Sequence, residues 1–218
     1  MMSFDIGGMA PMQVLQPSLL VADVMRWFAW ALMLGFVMAH VRRRLRSGLM
    51  TRVACVVAAS LALLLVAPIK LSLSLAFQTP SVLTQLLLLL WVVYGDQLNP
   101  MTGCEAGGCD RTWVYMAGML LGWLLLLDTL AILPLQWLAL PNFSLYQLGF
   151  TWLAQACVLV VLACGCFVTP ALSGLGLMAV AVFVITHAPT GNLWDALLDP
   201  MLWIYCHVKW FGAIRARR

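Results

Sequence analysis

Apolar runs of near-membrane length recur along the whole chain, and little polar sequence separates them. Taken at residues 19–40, 53–77, 82–94, 113–133, 148–168 and 172–187, they leave no segment able to fold as a separate water-soluble domain. A water-soluble fold of 218 residues cannot hide side chains that are 64% hydrophobic and only 9% charged. Lipid removes that difficulty, because it solvates apolar surface directly. The expectation is therefore an all-α fold, a polytopic transmembrane helical bundle forming one integral membrane domain over residues 1–218. Residues 1–17 lack the basic start of a cleaved signal peptide and read as an external N-terminal segment before a permanent first helix.

Two runs leave the number of crossings open between roughly five and seven. Residues 82–94 carry five consecutive leucines but are short, and fit either a thin crossing or one arm of a re-entrant hairpin. Residues 192–214 are amphipathic: Asn192 with Asp195, and Asp199 with Pro200, look like helix starts, and Trp203, His207 and Trp210 follow at helical spacing. This stretch fits an interfacial helix or a short crossing.

Charge placement orients the chain. Arg42, Arg43, Arg44, Arg46 and Arg52 follow the first run, and Lys209, Arg215, Arg217 and Arg218 close the sequence. Basic clusters beside spans mark the cytoplasmic side, so the arginine run reads as a cytoplasmic anchor. That puts the N-terminus outside and the C-terminus inside, in a membrane expected to be a bacterial inner membrane. Both placements need an odd number of crossings. Five put the loop at 95–112 outside, and seven put it inside. The net charge of +4 is accounted for by these clusters and gives no reason to expect nucleic acid.

Few groups are suited to chemistry. Asp128 lies inside an apolar run, where a carboxylate costs about 3 kcal/mol on insertion scales and so calls for a partner or for water. Arg26, Lys70 or another subunit are the candidate cations. Asp23 and Arg26, three apart, share a helix face and can pair. Lys70, just after Pro68, can snorkel to the outer surface. Cys104 and Cys109 stand in a glycine-rich loop that can bring two sulfurs together, so a disulfide is expected if the loop faces out. Gly118 and Gly122 form a small-xxx-small face suited to close helix packing. The other five cysteines sit in or beside apolar runs and read as small hydrophobes. His40, His187 and His207 lie near run ends. No phosphate loop, nucleophile elbow or zinc-protease motif appears, and no metal or other cofactor is expected.

These features leave three functions. The first is a non-catalytic subunit or scaffold of a membrane assembly, with the lipid bilayer and other membrane subunits as partners. The second is a small transporter or channel component with Asp128, Asp23 and Arg26 along the path. The third is a thiol-redox membrane enzyme using Cys104 and Cys109.

Overall fold

In a computed structural model, residues 16–41, 48–95, 112–132 and 144–216 are described, and they contain helices and no strand. The helices are α1 (Leu19–Val41), α2 (Leu49–Leu65), α3 (Ala67–Phe77), α4 (Val82–Tyr94) and α5 (Thr112–Thr129). They continue with α6 (Leu145–Leu148), α7 (Trp152–Gly165), α8 (Pro170–Thr186), α9 (Leu193–Leu197) and α10 (Pro200–Ala216). Two of them, α1 with 23 residues and α5 with 18, are long and apolar enough to cross a membrane. At 1.5 Å per residue α1 reaches about 34 Å, whereas the 13-residue α4 reaches only about 20 Å.

Local chemistry sets the helix limits. Ser18 Oγ accepts the Val21 N–H at the start of α1. The run at 53–77 is broken at Val66 into α2 and α3, with Pro68 in the first turn of α3, where its missing N–H costs no helix bond. The run at 113–133 ends before Pro134. Ala131 adopts a left-handed conformation, and the Ile132 N–H returns to the Leu127 carbonyl at 3.0 Å, which closes α5. Both helix starts expected in the last stretch are present: Asn192 caps α9 and Asp199 caps α10.

Contacts fix how the helices run. Gly35 of α1 lies against Val56 of α2, an approach too close for any Cβ. Phe36 and His40 of α1 meet Trp91 of α4, so the C-terminal ends of α1 and α4 lie together. The start of α2 joins them through Arg52, and this is called the arginine end here. At the opposite end Val82 of α4 packs with Val180 and Phe183 of α8 and with Leu193 and Ala196 of α9. Helices α7 and α8 run antiparallel, with Leu162 against Gly176 and Gly165 against Ser173. Helices α5 and α10 also run antiparallel, with Trp203 on Gly122 and Cys206 on Gly118. The small-residue face of α5 is thus occupied by α10. These two helices pack on each other far more than on the rest of the protein.

Large apolar side chains remain uncovered on several helices, Trp152, Val160 and Val161 on α7 among them. On α5 only Leu125 is buried.

Candidate functional site

Helix starts gather opposite the arginine end, and each start leaves backbone N–H groups without an intrahelical acceptor. Ser81 begins α4, Ser144 begins α6, Asn192 begins α9 and Asp199 begins α10. Three carboxylates, Asp128, Asp195 and Asp199, meet this set of donors, with Asp195 and Asp199 buried.

Asp199 joins two helices. Its Oδ2 accepts the Ser81 N–H at 2.6 Å, and its Oδ1 accepts the Leu202 N–H at 2.7 Å. Both oxygens are used, so one carboxylate serves the starts of α4 and α10 together. Next to it Ser81 Oγ accepts the Thr84 N–H, and the Gln85 side chain donates to the Pro80 carbonyl. Asp128 works differently. Its Oδ2 alone accepts both the Ser144 hydroxyl at 2.7 Å and the Tyr146 N–H at 2.8 Å.

Tyr146 carries the network onward. Its hydroxyl donates to Asp195 Oδ2 at 2.8 Å, which also accepts the Thr190 hydroxyl. Its carbonyl accepts from the Asn192 amide at 3.0 Å, and Trp194 Nε1 donates to the Leu145 carbonyl at 2.9 Å. The backbone at Gly149 fits so closely over Asn192 that a Cβ there would lie 1.9 Å from Oδ1. Burial pushes the Tyr146 phenol above its ordinary value, and the charge and hydrogen bond of Asp195 push it further. The phenol therefore remains a donor.

All these donors are neutral. The positive ends of the helix dipoles and their free N–H groups take the place of a cation. Among the described residues the partners of Asp128 are Ser144 and Tyr146. Asp23 and Arg26 do pair, at 3.9 Å with Asp23 56% exposed, and are not partners of Asp128. Lys70 belongs to α3, and its side chain lies outside the described residues. Cys104 and Cys109 lie outside them too, as do Arg42, Arg43, Arg44 and Arg46.

Arg52 departs from the rest of the arginine run. It is 6% exposed, and its Nη1 donates to the Trp91 carbonyl at 2.8 Å. It covers the C-terminal end of α4, where a cation is favoured. Gly95 follows with φ 57°, and a Cβ there would fall 1.7 Å from Arg52 Nη1. Both conformation and space demand glycine.

Sequence reasoning identified Asp128 and read Asn192, Asp195 and Asp199 as helix-start residues only. It missed Ser81, Tyr146 and Thr190. Ser81 precedes an apolar run at a helix-start position, which was the available signal for one of them. Among the described residues no cluster of three or more His, Cys, Asp or Glu side chains is suited to a metal. Comparison with family models, with curated protein sequences and with solved structures finds no match to this chain.

Proposed function

We propose that this chain is a seven-pass membrane protein acting as a non-catalytic subunit of a membrane assembly. The observation that carries the reading is how the carboxylates are used. Asp128, Asp195 and Asp199 accept from hydroxyl and backbone N–H groups that tie helices together, and every hydroxyl bonded to them among the described residues sits at or near a helix start, where it serves a structural bond. Such a network fixes helices relative to one another. Uncovered apolar faces on α5 and α7 suit lipid and neighbouring subunits.

The helix directions support seven passes. Helix α4 returns to the arginine end, α5 leaves it, α7 returns, α8 leaves and α10 returns. The loop between α4 and α5 then shares a side with the arginine run, the cytoplasmic side in a bacterial inner membrane. Cys104 and Cys109 are then kept as thiols. Labelling intact cells with an impermeant thiol reagent tests this. No labelling before permeabilisation and full labelling afterwards, without reductant, is expected. A disulfide, or labelling from outside, overturns the arrangement.

Purification in mild detergent tests the subunit role. A partner at fixed stoichiometry is expected. A monodisperse protein that alone moves a solute across vesicle membranes would replace this reading with the transporter one. One observation favours that second reading: α5 and α10 form a pair joined to the remainder mainly through the carboxylate network.

A further inference from the structure

His207 stands in the seam between α5 and α10. Its Nδ1 lies 2.9 Å from the Trp203 carbonyl, and its Nε2 lies 3.1 Å from Trp123 Nε1. A carbonyl only accepts and an indole N–H only donates. Nδ1 must therefore carry the proton, and Nε2 must be bare. Neutral imidazole in the Nδ1–H form satisfies both bonds. The imidazolium cannot, because its second N–H points at the indole N–H.

We propose that His207 is a pH-operated latch on the α5–α10 seam, closed by the neutral ring and released when the ring takes a proton. The ring faces Trp123 of α5 at 6.3 Å and Trp203 of its own helix at 4.9 Å, both edge-on. On α5 the ionisable groups are Tyr115, stacked on Tyr205, and Asp128, bonded to Ser144 and Tyr146. On α10, Cys206 packs under Gly118, Lys209 lies over Tyr205, and Arg215 is in the last turn. No carboxylate forms an ion pair with His207 among the described residues. Trp123 is bonded across the seam and Trp203 donates to the Met119 carbonyl, so loss of the Trp123 bond loosens the seam beside His207 and leaves the Trp203 bond and the packing at Gly118 and Gly122.

The native thiol of Cys206, 8% exposed against Gly118, reports the seam. In the full-length protein with its other cysteines changed to serine, Cys206 is reacted with an aromatic disulfide that labels thiols in acid as well as at neutral pH. Between about pH 8 and pH 5 the wild-type histidine should give a rise of about fivefold or more in labelling rate, relative to His207→Gln at the same pH. Glutamine keeps an acceptor for Trp123 and does not titrate. Nitrogen NMR of the unmodified seam supplies a second measurement that needs no variant at His207. It should show the Nδ1–H form at neutral pH and a Trp123 indole signal that shifts as the ring titrates. An Nε2–H ring, an indole signal indifferent to that titration, or equal acid responses in wild type and His207→Gln would overturn the proposal.

Discussion

Asp128 and Asp199 make the same kind of contact with different numbers of oxygens, so one substitution separates them. In Asp128→Asn the amide oxygen can replace Oδ2 and still accept from both Ser144 and Tyr146. What is lost is charge assistance and the attraction of the α6 start, about 1 kcal/mol. In Asp199→Asn only one oxygen remains for two N–H donors, and the new NH2 faces the other donor. Ser81 is fully buried, so its N–H, if abandoned, has no water to turn to. That adds about 1–3 kcal/mol to a similar loss of charge assistance, for a total near 3 kcal/mol. Reversible unfolding in mixed micelles, followed by circular dichroism, should rank wild type, Asp128→Asn and Asp199→Asn in falling order. Asp128→Leu should fall well below Asp128→Asn, since it abandons both donors. Equal stability of the two asparagine variants, or the reverse order, would refute the assignment of one oxygen to Asp128 and two to Asp199.

Gly122→Val should separate α5 from α10, because a Cβ at Gly122 meets the Trp203 ring at 2.3 Å; Gly174→Ala, with nothing within 4 Å, should be neutral or slightly stabilising, and detergent melting curves compare them. Tyr146 should titrate above the ordinary phenol range in ultraviolet difference spectra. Because its folded value is raised, its contribution is complete below the ordinary phenol range and is lost as pH climbs above about 10, a loss that Tyr146→Phe removes. Arg52→Met should destabilise the protein by about 1–3 kcal/mol by removing the charged donor from the Trp91 carbonyl, which keeps only the Gly95 N–H, and from the α4 terminus, whereas Asp23→Ala, at an exposed pair, should change stability by less than about 1 kcal/mol; unfolding midpoints decide both.

Helical class was legible because apolar runs, helix-start residues and basic clusters are local signals. Asn192, Asp195 and Asp199 announce helix starts by residue type alone, and Gly118 and Gly122 announce close packing four residues apart. The partners of those residues are not local. Nothing near Ser81 indicates that its amide meets Asp199, and nothing near Asp128 indicates that Ser144 and Tyr146 supply its donors. Arg52 sits beside an arginine run and shares its composition, yet its side chain turns inward onto the end of α4. The direction of α4 was undecidable for a related reason: a helix apolar all round carries no record of which neighbour it faces.

The bond from the Ser81 amide to Asp199 spans 118 positions of sequence. As the chain is synthesised, α4 emerges long before the residue that completes its first turn. Until Asp199 is made, the Ser81 amide at the start of α4 lacks its final acceptor. Assembly is thereby tied to the last stretch of the polypeptide. A chain stopped short of Asp199 is left with that end unfinished, and the missing acceptor marks an incomplete product from a complete one.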